Sequence, residues 1–326
     1  MRKTVFTVRW LGTIFAVTTA LASQILMAQT YTHGQHVEPA FEGWRPNEDG
    51  TFNMMFGYMN ENWEETPDVP VGENNYISPG EADRGQPTHF LPRRNRFAFE
   101  VMVPADWGDR ELVWTLNVNG QERKAYATLR QDYQVDNMVI ASETGSLGAG
   151  TSSPESRANT PPIVSVIGDQ IRSARVGESL VVDTEVVDDG LPEPTDVVED
   201  ARRFAQFVGG GLAALLVTPE AVMQRRLMRP PTRVTVDKVN GLYYSWNKWR
   251  GPGNVIFDPP QVKVWEDSRT SANSPWGALF TPPPVPEDGI YQVEMTFDMP
   301  GEYILWGRAD DGGLYHDAFI TVNVNE

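Results

Sequence analysis

The chain has 326 residues, a formal net charge of −17 and no cysteine. Without cysteine it has no disulfides, thiolate metal sites, cysteine nucleophiles, lipid-modified cysteine or covalently attached c-type haem. The acidic charge argues against nucleic acid and anionic lipid as main partners, because both are negatively charged. The length suits about two domains of roughly 150 residues each.

Residues 1–28 have the pattern of a secretory signal. A basic start with Arg2 and Lys3 precedes a short apolar run at residues 11–22, and Ala28 offers a small residue for cleavage. The run is too short to cross a bilayer comfortably, which takes about 20 residues, and no later stretch reaches about 18 uninterrupted apolar residues. We therefore expect a periplasmic or secreted protein with no transmembrane segment after cleavage, and we exclude the signal from the fold.

Residues 31–140 are predicted to form an N-terminal β-sandwich. One predicted strand has apolar residues at every second position, namely Phe97, Phe99, Val101 and Val103. Such alternation is typical of a strand with one buried face. Asn119 and Gly120 predict a tight hairpin, because a type I′ turn needs two residues at positive φ. The polar segment 61–92 is predicted to be a long irregular loop.

A linker is predicted between the two domains. Residues 141–162 are small and polar, and they end in two prolines. This composition is typical of connecting segments.

The end of the chain has the clearest strand pattern. One predicted strand alternates at Tyr303, Leu305, Gly307 and Ala309. The next alternates at Ala318, Ile320, Val322 and Val324. Two aspartates and two glycines at residues 310–313 supply turn chemistry between them. We therefore predict a closing β-hairpin.

The pattern G-x-Y, alternating strand, A-x-D-D-G-G, alternating strand resembles PKD-type and related immunoglobulin-like modules of exported bacterial proteins. The resemblance covers residues 298–324 and, more loosely, residues 162–190. It implies an immunoglobulin-like sandwich over residues 163–326, with Tyr303 at the tyrosine corner and Trp246 in the core. The whole chain also resembles uncharacterised exported bacterial proteins, and that likeness implies no chemistry.

The predicted fold is therefore all-β, with two β-sandwich domains, the second immunoglobulin-like with a short helical insertion. The insertion covers residues 195–229, whose composition is helical and interrupted by three glycines. One interpretation is a flap over one sheet face. The other is a docking element for a protein partner or a membrane, because basic residues flank its apolar residues Phe204, Phe207, Leu212, Leu215 and Leu216.

Two aspartate pairs raise the hypothesis of a calcium site. Asp188 and Asp189 follow one predicted strand, and Asp310 and Asp311 follow another. Hard oxygen ligands on loops suit Ca²⁺. If both pairs lie at the same end of the sandwich, Asp317 joins them in one site. The alternative is simple turn chemistry, and no other cofactor is implied.

Three functions stay open. The first is an exported, non-catalytic binding or structural module that engages an envelope or extracellular protein. The second is a carbohydrate-binding protein that stacks sugars on exposed Trp249 and Trp276. The third is a hydrolase with carboxylates converging in a cleft between the domains, although no nucleophile elbow, P-loop, dinucleotide fingerprint or zinc-protease motif is present.

Overall fold

The chain folds as a series of strands in two β-sandwiches. A computed structural model describes residues 31–144, 153–194, 199, 202–203, 205–207, 211, 217–218, 221, 238–269, 272–277 and 280–326. The predicted signal, residues 1–28, lies outside the described residues. In the described part, no helix has both the length and the apolar character needed to cross a bilayer.

The N-terminal sandwich consists of two three-stranded antiparallel sheets. The first has the order β1-β2-β4, formed by β1 (Val37–Pro46), β2 (Phe52–Asn60) and β4 (Arg93–Val103). The second has the order β3-β5-β6, formed by β3 (Asn75–Ser78), β5 (Leu112–Val118) and β6 (Gln121–Ala127). The predicted hairpin turn is confirmed, since Asn119 and Gly120 both have positive φ between β5 and β6. The predicted irregular loop 61–92 contains β3, which is too short to produce a clear alternation.

Aromatic side chains fill the core of the N-terminal sandwich. The rings of Phe56 and Phe99 stack at 5.3 Å, and Trp114 meets Phe99 edge-on at 4.9 Å. Trp114 is fully buried and donates its indole N–H to the side-chain oxygen of Asn75 at 3.0 Å. Large buried rings contribute much of the hydrophobic stabilisation of a domain this size.

The C-terminal sandwich consists of two four-stranded sheets, β10-β13-β14-β8 and β11-β12-β9-β7. Its strands are β7 (Ile163–Val166), β8 (Ile171–Arg175), β9 (Ser179–Val187), β10 (Tyr243–Arg250), β11 (Val255–Asp258), β12 (Ile290–Phe297), β13 (Gly301–Asp310) and β14 (Tyr315–Asn325). All pairings are antiparallel except that of β8 with β14. The predicted all-β fold of two sandwiches is confirmed.

The closing hairpin has the predicted alternation. Tyr303 pairs with Val322 and Leu305 with Ile320, and all four side chains are buried. Tyr303 donates its hydroxyl to the backbone oxygen of Met299 at 2.9 Å, four residues upstream, as a tyrosine corner does. Trp246, fully buried, lies in the same core.

The opposite face of the β10-β13-β14-β8 sheet packs against the N-terminal sandwich. Trp306, on β13, is 1% exposed and lies 5.3 Å from Trp249 of β10. Trp249 in turn contacts Phe99 of the N-terminal sandwich at 6.4 Å. The two sandwiches therefore share one cluster of buried apolar side chains.

Two helices lie within or beside the predicted linker. The first covers Asn137–Thr144 and the second Pro154–Ala158. Ile140 and Ala141 are buried beside Phe97 and Leu314, so the first helix packs on both sandwiches. The second begins with a capping box between Ser153 and Ser156.

Candidate functional site

Buried hydrogen bonds hold the two sandwiches together at their junction. Arg308, on β13, donates to the backbone oxygen of Phe97 at 2.7 Å and to that of Arg96 at 3.3 Å. It also forms a bidentate ion pair with Asp317 at 2.7 Å. Burial works to lower the pKa of Arg308, but the Asp317 carboxylate outweighs it and the pKa is raised. A guanidinium that remains charged here anchors strand β4 to the C-terminal sandwich.

The end of β10 forms a second set of contacts. Trp249 donates its indole N–H to the backbone oxygen of Gly85 at 3.0 Å, and its own carbonyl accepts from the backbone N–H of His89 at 3.2 Å. Arg250 forms a bidentate ion pair with Asp83 at 2.8 Å. The hydrogen bonds from Arg250 lower the pKa of Asp83 to about 2. Bidentate pairs of this kind fix geometry as well as charge.

An aromatic groove lies at this junction and is the candidate functional site. Its volume is about 560 Å³, within the usual range for ligand pockets. Its apolar lining comes from both sandwiches, including Phe97, Phe99, Trp249, Tyr315 and Phe319. Phe319 is 39% exposed, while Phe97 and Trp249 are buried. The groove therefore presents the accessible ring of Phe319 beside buried aromatic rings.

The acidic side chains of the groove are engaged by cations. Glu100 accepts from Arg45 at 2.7 Å and from the Asn53 amide at 2.5 Å. Asp317 accepts from Arg308 and from the Trp306 indole at 2.8 Å. A general acid or base needs a carboxyl that can exchange a proton with the substrate. Among the described residues lining the groove, neither carboxylate is free in this way.

The prediction that Trp249 and Trp276 are exposed for carbohydrate binding is wrong for both residues. Trp249 is 3% exposed and Trp276 is 7% exposed. Trp249 is covered because the N-terminal sandwich packs over it. The Trp276 ring lies against the buried Lys238 ammonium, 5.2 Å from its nitrogen. Neither ring offers the open face that stacking on a sugar requires.

The predicted calcium site is also not formed. In the described ranges, no group of three or more acidic or histidine side chains is arranged to hold a metal ion. Asp310 accepts from Lys238, and Asp317 from Arg308. Asp188 accepts from the backbone N–H of Gly190 at 2.9 Å. Asp189 accepts from the hydroxyl and backbone N–H of Thr160 at 2.7 and 2.9 Å. Cations and turn donors therefore engage at least one oxygen of each of these aspartates.

A buried charged cluster surrounds the aspartates that end β13. Lys238 lies 2.5 and 2.6 Å from the two carboxylate oxygens of Asp310. One oxygen of Asp311 accepts from the backbone N–H groups of Gly313 and Leu314, and the other has no hydrogen-bond partner among the described residues. Burial, followed by repulsion from Asp310, raises the pKa of Asp311 to about 7. The sequence pattern did not reveal Lys238, because it lies 72 positions from Asp310.

Of the predicted docking residues, Phe207 alone belongs to the described part of the chain. It is helical and 90% exposed. Arg202 and Arg203 are also helical and form ion pairs with Glu199 at 3.9 and 3.5 Å. The other predicted docking residues lie outside the described residues: Phe204, Leu212, Leu215 and Leu216.

No protein-family model matches the chain, and no curated protein matches its sequence. Among solved structures, domains 4 and 5 of the S-layer protein SbsC are 8% identical, covering 90% of this chain and 98% of that chain, with a TM-score of 0.22. The fibronectin(III)-like modules of Clostridium thermocellum CbhA are 9% identical (89% and 94% covered, TM-score 0.21). The D0-D1 domain of intimin is 9% identical (88% and 97%, TM-score 0.20). Similarity this low says nothing about ligand or activity.

Proposed function

We propose that the protein is an exported, non-catalytic binding module of the periplasm or cell exterior. In this proposal, a protein partner inserts an apolar side chain into the groove between the two sandwiches. The observation that carries the proposal is the partly exposed ring of Phe319, set in a groove beside the buried rings of Phe97, Phe99 and Trp249. An accessible ring beside a pre-formed apolar floor is typical of an interface hot spot.

Rigid groove walls support binding rather than a moving catalytic cleft. The hydrogen bond from Arg308 to the backbone oxygen of Phe97 and the ion pair of Arg250 with Asp83 both cross the junction and fix the two sandwiches on either side of the groove. A pre-organised site loses less conformational entropy when a partner binds, so more of the contact energy contributes to affinity.

The chemistry of the lining favours a protein partner over the two alternatives. Glu100 and Asp317 are neutralised by arginines, which disfavours a hydrolase that uses them. Trp249 and Trp276 are buried, which disfavours stacking on a polysaccharide. The negative net charge of −17 disfavours nucleic acid.

Site-specific photo-crosslinking tests the proposal. We would place a photo-reactive amino acid at position 319 and, as a matched control, at position 126. Tyr126 is 55% exposed on β6 and does not line the groove. In envelope extract, we expect a defined protein adduct from position 319 and none from position 126. We also expect Phe319→Glu to abolish capture of that protein, whereas Tyr126→Glu retains it.

Two outcomes would contradict the proposal. One is capture that Phe319→Glu leaves unchanged, which would remove the groove from the interface. The other is glycan binding that Phe319→Glu abolishes, with no protein adduct from position 319. That result would favour the carbohydrate-binding function instead.

Phe207 marks a second candidate surface for the same function. Its side chain is 90% exposed, and Arg202 and Arg203 are exposed as well, which suits a basic, apolar docking surface. A photo-reactive amino acid at position 207 and deletion of residues 196–229 test it. Loss of the partner in the deletion, with Phe319→Glu still active, would move the docking surface from the groove to the insertion.

A further inference from the structure

The amine of Lys238 lies unusually close to a carboxylate in the interior. Its side chain is 1% exposed and that of Asp310 is 7% exposed. The nitrogen lies 2.5 and 2.6 Å from the two oxygens, shorter than an ordinary N–H···O hydrogen bond of about 2.9 Å. A nitrogen this close to both oxygens is also close to the Cγ carbon that joins them, so the amine and the carboxyl carbon are neighbours in the folded chain.

The backbone next to Lys238 and the backbone of Asp310 are both anchored by hydrogen bonds. Val239 donates its N–H to the carbonyl of Pro275 at 2.9 Å, and Gly241 donates to the carbonyl of Asp311 at 2.8 Å. Asp310 ends the β10–β13 ladder, paired with Tyr243. Neither group needs to search for the other, and an intramolecular reaction at fixed geometry can have an effective concentration of about 10⁵ M or more.

Aromatic rings surround the amine. The Lys238 nitrogen lies 5.2 Å from the Trp276 ring centre and 6.0 Å from that of Tyr243. The rings exclude the bulk water that would otherwise solvate both groups and compete with the amine for the carboxyl carbon.

Asp311 supplies a second carboxyl at the same place. It is 1% exposed, and the charges of Asp310 and Lys238 both act on it. Burial raises its pKa to about 7, so near neutral pH the carboxyl can both hold and release a proton. Its second oxygen has no hydrogen-bond partner among the described residues, so that oxygen remains to carry the proton.

We propose that Lys238 and Asp310 condense into an intramolecular isopeptide bond, with Asp311 as the proton-transfer group. First, one ammonium proton moves to the Asp310 carboxylate, leaving an amine and a carboxylic acid. The amine lone pair then attacks the Cγ carbon of Asp310, and the carbon–nitrogen bond forms. Asp311 donates its proton to the departing hydroxyl and takes up a proton from the nitrogen. The carbon–oxygen bond breaks, one water leaves, and Asp311 is regenerated.

The bond would give this chain a covalent brace that disulfides cannot supply. The chain has no cysteine. Lys238 lies just before β10, and Asp310 is the last residue of β13. The bond therefore ties the start of β10 to the end of β13. A cross-link of this kind restricts the unfolded chain, as a disulfide does.

Mass spectrometry of the full chain tests the proposal. We expect the intact mass to fall short of the sequence mass by one water. After tryptic digestion we expect a branched peptide that joins Lys238 to Asp310. The branched peptide is decisive, because a succinimide at Asp311-Gly312 also loses one water but joins no second peptide. A native protein without the branched peptide overturns the proposal and leaves an ordinary ion pair.

Variants separate the roles of the three residues. Lys238→Arg keeps the cation but removes the amine, so we expect a folded protein with no branched peptide. Asp311→Asn keeps an oxygen that accepts from the Gly313 and Leu314 N–H groups, and we expect a large loss of the branched peptide. A yield equal to that of the native chain would overturn the role of Asp311. Lys248, 3.2 Å from the half-exposed Asp68, is the matched control, and we expect no branched peptide there.

Discussion

Arg308 of the C-terminal sandwich donates a hydrogen bond to the backbone oxygen of Phe97 in the N-terminal sandwich, at 2.7 Å. The same guanidinium is held by both oxygens of Asp317. A buried arginine thus satisfies a strand carbonyl of one sandwich and a carboxylate of the other. Because both acceptors are buried or partly buried, loss of the arginine leaves the Phe97 oxygen without this donor and the Asp317 carboxylate without its cation.

We expect Arg308→Met to lower the free energy of unfolding by about 3–5 kcal/mol, because it leaves the Asp317 charge unpaired in the interior. Urea denaturation followed by tryptophan fluorescence measures this loss. Arg123→Met is the control, since Arg123 forms a half-exposed ion pair with Glu38 and should cost at most about 1 kcal/mol. Equal losses in the two variants would contradict the anchoring role of Arg308.

We expect Trp249→Ala to cost about 3–5 kcal/mol, because it leaves a cavity at the junction. It also removes the indole hydrogen bond to Gly85. Calorimetry should show two separate transitions in place of one cooperative transition. The control is Phe319→Ala, which alters a ring 5.6 Å from Trp249 that is 39% exposed, and should cost about 1 kcal/mol. A single sharp transition in Trp249→Ala would argue against a shared core.

We expect acid to destabilise the junction in two stages. Burial, only partly offset by Asp68, lowers the pKa of His89 below its ordinary 6.5, so the folded state binds fewer protons than the unfolded chain. The stability from His89 is fully present above pH 6.5 and is lost as the pH falls below it. The pKa of Asp68 is also lowered, because His89 and Lys248 outweigh its burial. Its contribution is lost only below about pH 4.

The His89→Gln variant checks the first stage of this acid transition. The melting temperature is measured in steps between pH 7.5 and pH 5. It should fall more steeply with falling pH for the native chain than for the variant. Parallel curves for the two proteins would show that His89 does not control the first stage.

We expect Gly251→Ala to destabilise the C-terminal sandwich by roughly 2–3 kcal/mol more than Gly72→Ala. Both glycines have similar backbone angles, with φ of 149° and 153°. A Cβ at position 251 would overlap the Tyr303 ring, whereas one at position 72 meets nothing within 4 Å. The pair therefore separates steric overlap from backbone strain. Equal melting temperatures in the two variants would rule out close packing of Tyr303 on Gly251.

Sequence reasoning succeeded where the information is local. The alternation at Tyr303 and Leu305 predicted a strand with one buried face, and both side chains are buried in the register expected. Asn119 and Gly120 predicted a turn at positive φ, which the backbone adopts. The physical reason is that strand periodicity and turn geometry depend on residues within a few positions of each other.

It failed where the answer depends on what packs from a distance. Trp249 follows a lysine and precedes an arginine, which suggested a surface, but the residues that cover it are about 160 positions away. The sequence around Asp310 indicates a turn residue or a metal ligand, but in the fold Lys238 lies beside it and forms an ion pair with it. Burial and pairing of polar groups are properties of the assembled chain, because they depend on neighbours that only the fold brings together.

The sequence by itself therefore determined the all-β class, the closing hairpin, the tyrosine corner and the chemistries that an acidic chain without cysteine excludes. The tertiary structure alone decided that the outer face of the β10-β13-β14-β8 sheet is a junction rather than a surface. It also decided that an aromatic groove lies there and that a lysine and two aspartates are enclosed together. Alternation specifies that a strand has two faces, but only the partner that packs on each face determines whether its side chains meet water.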